Sequence, residues 1–152
     1  MLDKHLSAFL EEGLSTHIAS RNARLEPNAA RVAALRVDGD GQHLTAFVPT
    51  VAAALLLPDL HANGQVAVVS ARPPDERGCQ VKGMFVNTWD ATAAEREIVD
   101  EQWERFRQRL DVIGLPRVAT DGWVTWPCTA IRLRVQAVFD QTPGPGAGAR
   151  LS

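Results

Sequence analysis

Two short stretches of the chain carry polar side chains at positions where a plain β-barrel core would be apolar. Arg31 and Arg36 flank four apolar residues in Arg-Val-Ala-Ala-Leu-Arg, and Gln80 and Lys82 lie two residues apart in Cys-Gln-Val-Lys-Gly. Both stretches have the composition of β-strands, in which side chains alternate between two faces. The two arginines therefore face opposite sides, and one of them points inward or towards a partner. This pattern predicts a binding site built on a β-barrel.

Composition restricts the class of protein. The 152 residues suffice for one domain, and the apolar share of 45% and charged share of 22% are ordinary for a globular chain. A net charge of −2 argues against nucleic-acid or anionic-membrane partners, which need a basic surface. The two cysteines, Cys79 and Cys128, are far apart, and no Cys/His set has metal-ligand spacing. We therefore predict reduced thiols and no metal site.

No stretch of the sequence has the length of a membrane span or the form of a secretion signal. The longest apolar run, residues 51–57, is too short to cross a bilayer. The first residues are acidic rather than basic and lack a signal-peptide core. We therefore expect a cytoplasmic protein with no membrane partner.

Strands joined by short turns dominate the predicted secondary structure. The turn Asp38-Gly39-Asp40-Gly41 between two apolar runs is a strong hairpin signal, because glycine supplies the positive φ of tight turns. Residues 21–28 are polar, contain a proline and are predicted to form a loop. The six predicted strands cover residues 14–20, 29–37, 43–48, 65–71, 79–88 and 129–139.

Three helices complete the prediction. A short amphipathic helix over residues 3–12 has Asp3 as its N-cap. A second short helix begins at Thr50, which can cap it; Pro58 limits this helix or starts a new turn, and Asn63-Gly64 closes the segment. The longest helix begins with a Thr92/Glu95 capping box and has apolar residues every three or four positions.

These elements predict a mainly β protein, an antiparallel barrel decorated with one long and two short helices. It forms a single domain over residues 1–140, followed by a Gly/Pro-rich tail over residues 141–152. The composition of the tail predicts mobility. The alternative is an ordered strap across a dimer interface near a ligand, since glycine permits close backbone approach.

With this order of elements the chain resembles the pyridoxamine 5′-phosphate oxidase-like family of FMN-binding split barrels, over about residues 14–140. The similarity rests on three segments. The first is residues 31–36, a strand with a basic residue at each end. The second is the strand at 43–48, followed by Thr50 and a helix ending in the run 60–68, and the third is Gln-Val-Lys-Gly at 80–83. The resemblance implies a six-stranded antiparallel split β-barrel. It also implies a homodimer with one FMN in each of two clefts at the interface.

The same resemblance implies which residues hold the cofactor. It places Arg31 and Arg36 near the FMN phosphate or ring, and makes Thr50 a hydroxyl donor to the phosphate. The backbone of Phe47, Val48 and Pro49 would lie beside the isoalloxazine. Gln80 would be a hydrogen-bond partner of the flavin.

The phosphate-binding turn departs from the family pattern. The family has Arg and Lys after the Ser/Thr, whereas here Thr50 is followed by Val and three alanines at positions 51–54. Each charge-assisted bond to a phosphate contributes about 1.5–3 kcal/mol, so losing two weakens binding by roughly tenfold to a few thousandfold. Arg21, Arg24 and Lys82 are the candidates to compensate, and Lys82 is included among the predicted cofactor residues.

The resemblance implies a flavin-dependent oxidoreductase acting on a small-molecule substrate. The alternatives are a non-catalytic dimeric ligand-binding or sensor module with a degraded flavin site, and a haem-binding variant. Deazaflavin is a further cofactor alternative, because the family contains haem-binding and deazaflavin-binding branches and the fold alone does not fix the cofactor. No catalytic residue is predicted, because the chain has no Tyr and its four His are scattered.

Overall fold

Seven strands form one antiparallel sheet that curls into a half-barrel, with three α-helices packed around it. The computed structural model describes all residues, Met1–Ser152. In chain order the elements are α1 (Lys4–Leu10), β1 (Ser15–Arg21), β2 (Pro27–Arg31), β3 (Ala34–Val37), β4 (His43–Pro49), α2 (Thr50–Asn63), β5 (Gln65–Ala71), β6 (Gly78–Asp90), α3 (Ala93–Val112), a 3₁₀ turn (Arg117–Thr120) and β7 (Cys128–Asp140).

The curl of the sheet follows from its strand order, β2-β1-β5-β6-β7-β4-β3. Strands β2 and β3 are consecutive in the chain, yet they lie at opposite edges of the sheet. Val32 N still donates to Thr16 O of β1 (3.0 Å), and the next amide, Ala33 N, donates to Phe47 O of β4 (2.8 Å). The chain thus passes from one edge to the other within two residues, so the two edges must lie close together.

The strand count corrects the sequence prediction of six. The predicted strand over 29–37 is two strands, β2 and β3, because residues 32 and 33 bond to opposite edges of the sheet. The predicted loop over 21–28 is also too long, since Arg21 ends β1 and β2 begins at Pro27. The mainly β, antiparallel architecture with one long and two shorter helices is confirmed.

The caps of α1 and α3 are confirmed. Asp3 accepts from Leu6 N (2.8 Å), and Thr92 and Glu95 form the reciprocal capping box. The N-cap predicted for α2 was wrong, because the N-cap is Pro49, without a side-chain cap bond. The helix continues through Pro58 to Asn63, and Gly64 closes it in the left-handed conformation, as the Asn63-Gly64 pair predicts. Pro58 is on the exposed side, where water can satisfy the carbonyl that loses its helical partner.

The main core fills the inside of the curled sheet. Alternate side chains of β1, β4, β5 and β7, such as Ile18, Leu44, Val68 and Leu133, are fully buried there. Helix α1 closes one end, and α2 inserts three residues into the same core. A second, smaller cluster around Phe47 lies between β3, β4, β7 and the long helix α3.

A side chain of α3 completes the backbone pairing of the edge strand β3. Leu35 N donates to Gln102 Oε1 (3.0 Å), and Gln102 Nε2 donates to Leu35 O (2.6 Å). Both residues are buried. The primary amide of Gln102 therefore acts as a one-residue strand partner at the seam of the half-barrel.

The C-terminal tail turns back along the free edge of β7 instead of leaving the domain. Leu151 N donates to Val138 O (2.7 Å), and Gly148 N donates to Asp140 O (2.7 Å). Phe139 and Arg150 form an isolated antiparallel bridge. The tail over residues 141–152 thus returns to β7 through these bonds, and its predicted mobility stays a prediction. No helix of the protein has both the length and the apolar character needed to cross a membrane.

Candidate functional site

The predicted site residues lie on separate surfaces of the chain and do not converge on one pocket. Arg31 ends β2, and its guanidinium carbon lies 4.0 Å from the ring centroid of Trp123 and 4.9 Å from that of Phe106. Its side chain therefore faces the end of α3. Burial lowers the pKa of Arg31 from its ordinary value.

Arg36 is engaged by the start of α3. Its Nη1 donates to Glu95 Oε1 (2.9 Å), and the Trp89 indole donates to the same carboxylate (3.1 Å to Oε2). Burial opposes the ionisation of Glu95, but hydrogen bonds from Thr92, Trp89 and Arg36 outweigh it and hold the pKa of Glu95 below its usual range. The Arg36 guanidinium thus links β3 to the start of α3.

Phe47 and Val48 are core residues with no exposed surface. Their strand, β4, is paired on both sides, with β3 and with β7. Phe47 O accepts from Ala33 N (2.8 Å), and beyond Pro49 the amide of Thr50 donates to Pro127 O (2.9 Å). The backbone predicted to lie beside a cofactor is therefore largely satisfied within the chain.

Thr50 lies at the N-terminus of α2, on a cavity of about 390 Å³. Thr129 donates its hydroxyl to Thr50 Oγ1 (3.3 Å), and Thr88 and Asp90 line the same cavity. No Lys or Arg lines it. A helix N-terminus with hydroxyl groups suits an anion, but the carboxylate of Asp90 and the lack of a cation do not fit the phosphate of FMN.

The largest cavity, about 550 Å³, is a groove on the outer face of β1, β5 and β6. We call it the Lys82 groove. Lys82 and Arg21 are its two cations, and the amides of Gln65 and Gln136 add hydrogen-bonding groups. Gln80 shares the outer face of β6 with Lys82 but does not line the groove. Two cations with neutral amides fit a phosphate far better than the first turn of α2 does.

Arg21 was named from the sequence only as a candidate to compensate for the missing cations, and the groove amides of Gln65 and Gln136 were not predicted. Extending the first predicted strand by one residue would have placed Arg21 on the same face as His17 and Ala19, because side chains alternate. The antiparallel registers with β1 and β6 place Gln65 in the groove, and these registers are not visible in the sequence. The groove contains no Asp, Glu, His or Cys.

A cluster of potential metal ligands lies in the β3–β4 hairpin. One oxygen or nitrogen from each of Asp38, Asp40 and His43 lies within 4.8 Å of the others. Arg132 pairs with Asp38, and His43 Nδ1 lies 3.0 Å from Asp40 Oδ2. These partners already satisfy the carboxylates, so the cluster is a polar turn rather than a candidate metal centre.

The chain shares its fold with solved structures at low sequence identity. An F420 reductase matches with a TM-score of 0.58 at 18% identity, over 87% of this chain and 94% of that one. Group A Streptococcus HupZ matches with a TM-score of 0.58 at 14% identity, over 98% of this chain and 99% of that one. An FMN-binding protein from Syntrophomonas wolfei matches with a TM-score of 0.51 at 14% identity, over 88% of this chain and 86% of that one.

Members of the pyridoxinephosphate oxidase family are also among the similar structures, as in a protein from Clostridium acetobutylicum with a TM-score of 0.51 at 13% identity, over 90% of this chain and 84% of that one. No family model and no curated protein matches the sequence. The similarity therefore establishes a split-barrel fold, and the function has to be argued from the residues.

Proposed function

We propose that two copies of this chain bind a flavin-type cofactor, FMN in the first instance, in a cleft between them. The observation that carries the proposal is the division of the polar site residues between two surfaces. The hydroxyl cavity at Thr50 and the Lys82 groove share no lining residue. We infer that a cofactor using both surfaces contacts one surface from each of two copies. The named cofactors of similar structures, F420 and FMN, support a flavin-type ligand.

The surface of α2 supports pairing of two copies. The helix has one acidic residue, Asp59, and no Lys or Arg, yet Val51 and Leu55 on its outer side are 72% and 71% exposed. A helix that is apolar all round is normally buried. These residues adjoin Thr50, so a second copy covering them would also close the hydroxyl cavity.

The proposed roles follow from chemistry and charge. Arg21 and Lys82 hold the phosphate, in place of the cations missing from the first turn of α2. The amides of Gln65, Gln80 and Gln136 offer donors and acceptors to the polar edge of the flavin ring, and the hydroxyl cavity at Thr50 of the second copy contacts the cofactor from the other side. When bound, the cofactor supplies hydride or electron transfer to a small-molecule substrate, and the protein supplies orientation and electrostatics.

A second candidate is a dimeric ligand-binding or sensor module without turnover. The observation that favours it is the absence of any Asp, Glu, His or Cys from the Lys82 groove, which leaves no side chain there to transfer a proton near neutral pH. This candidate keeps the dimer and the binding site, and it differs only in having no reaction.

The test is an absorption spectrum of the purified protein before and after incubation with FMN and gel filtration. We expect flavin absorption that co-elutes with a dimer. Lys82→Gln should weaken FMN binding about tenfold or more through the loss of one charge-assisted contact. Lys4→Gln, an exposed lysine on α1 outside the groove, is the matched control.

Each other outcome has a defined meaning. A colourless protein that does not retain FMN refutes the proposal. A Soret band after reconstitution with haem, without retention of flavin, favours the haem-binding alternative. Retention of FMN without NAD(P)H- or oxygen-linked turnover selects the module without a reaction.

A further inference from the structure

A second cavity, separate from the Lys82 groove, lies where the end of β2 meets the last turns of α3. We call it the Arg31 cavity, and its volume is about 310 Å³. One wall is apolar and is formed by Phe106, Leu110, Ile113 and Trp123. Ile113 and Trp123 are 52% and 39% exposed, so this wall presents apolar surface to the solvent.

The polar group in this cavity is a guanidinium without an acceptor. Arg31 makes no ion pair and no side-chain hydrogen bond, although its side chain is half-buried and carries five N–H donors. Two other arginines, Arg77 and Arg134, also lack such partners, but both are exposed to water. The Trp123 and Phe106 rings offset part of the loss of hydration through cation–π contact but accept no conventional hydrogen bond. The N–H donors of Arg31 therefore have no acceptor within the chain.

The other charged groups around the cavity leave Arg31 as its one uncommitted cation. Arg72 also lines the cavity, but Asp75 and Glu12 hold it (2.6 and 3.1 Å). Glu76 lies on the rim and makes no ion pair. Across the strand pair, desolvation and then the charge of Arg31 lower the pKa of His17. Neither Arg72 nor His17 competes with Arg31 for an anion.

We propose that the Arg31 cavity binds a small organic carboxylate with an apolar or aromatic body. The carboxylate accepts two N–H groups of the Arg31 fork, and the body covers Trp123 and Ile113. Cavities of this size hold small ligands by an apolar wall and a few polar groups, and guanidinium matches carboxylate geometry in a bidentate manner. Glu76 offers a position for an ammonium group. An α-amino acid and a simple carboxylic acid would thus bind Arg31 in the same way, and only the ammonium group of the amino acid would contact Glu76.

The test uses three probes on the wild-type chain, phenylacetate, its neutral isostere phenylacetamide, and phenylalanine, by calorimetry and tryptophan fluorescence. We expect phenylacetate to bind about tenfold or more tightly than phenylacetamide, because the amide forfeits the charge-assisted pair. Arg31→Gln should abolish this preference, whereas Arg134→Gln, the same change at an exposed arginine without a partner, should preserve it.

The outcomes are decisive without reliance on any one variant. Equal binding of acid and amide by the wild-type chain, or no binding of the acid up to about 10 mM, overturns the proposal even if Arg31→Gln fails to fold. Tighter binding of phenylalanine than of phenylacetate, lost in Glu76→Gln, assigns the cavity to amino acids. The reverse order assigns it to simple carboxylates. The Arg31 cavity shares no lining residue with the Lys82 groove or the Thr50 cavity, and titration of FMN-free protein keeps this test separate from the test of the proposed function.

Discussion

Replacing Gln102 by Met should strongly destabilise the protein, because it removes the partner of two buried backbone groups. Met has nearly the same shape and helix propensity as Gln, so packing and helix formation are conserved. The change leaves Leu35 N and Leu35 O without acceptor and donor. Leaving a buried polar group unsatisfied costs about 1–3 kcal/mol, so the two together cost about 2–6 kcal/mol. That is a large share of a typical stability of about 5–15 kcal/mol.

The assay is urea unfolding followed by fluorescence of the four tryptophans. Gln108→Met is the matched control, because Gln108 is exposed on the same helix and bonds only to the side chain of Glu104. We expect this control to change the free energy of unfolding by less than about 0.5 kcal/mol. A loss of less than about 1 kcal/mol for Gln102→Met, with an unchanged native spectrum, would refute the assignment of Gln102 as a strand partner.

Two further substitutions test other parts of the fold. Glu95→Gln should destabilise the protein at neutral pH. Because folding lowers the pKa of Glu95, the ionised carboxylate stabilises the folded state at pH values above the unfolded pKa of about 4.3. This stabilisation is lost as the pH falls through the folded-state pKa. A stability difference between wild type and Glu95→Gln that stays constant from neutral pH to about pH 3, measured by urea unfolding, would contradict this. Gly83→Ala should cost about 1–3 kcal/mol, because its Cβ would lie 2.3 Å from Arg134 O at a bulge of β6. Gly122→Ala, where a Cβ meets nothing within 4 Å, is its control, and equal melting temperatures of the two variants would contradict the prediction.

Signals that act within a few residues were sufficient to predict much of the fold. The Thr92/Glu95 capping box and the Asp3 cap are local hydrogen bonds, and both are present. The hairpin around the turn at 38–41 depends on glycine conformations in the turn itself, and β3 and β4 pair on either side of it. In each case the residues that make the signal are also the residues that bond.

The errors lie where distant parts of the chain decide the outcome. Residues 32 and 33 bond to opposite edges of the sheet. This division depends on the closure of the whole sheet, and the local alternation of apolar and polar residues does not reveal it. The predicted cofactor residues Arg31 and Arg36 lie against α3, which begins more than fifty residues later in the chain. Glu95 of α3 accepts the hydrogen bond of Arg36, and this partner could not be predicted from neighbouring residues. The role of either arginine towards a cofactor stays a prediction.

The connection between β2 and β3 consists only of Val32 and Ala33, and both are hydrogen-bonded to the sheet. The connection therefore cannot change in length without moving one of the two strands. Adding one residue there would reverse the faces of β2 or β3, turning Leu35 or Ala30 from the core to the solvent. Related sequences should therefore keep the spacing between β2 and β3 constant. Length changes in the segment between β5 and β6 need only a longer loop and cost the fold little free energy, so their effect should fall on the rim of the Arg31 cavity, where Glu76 lies.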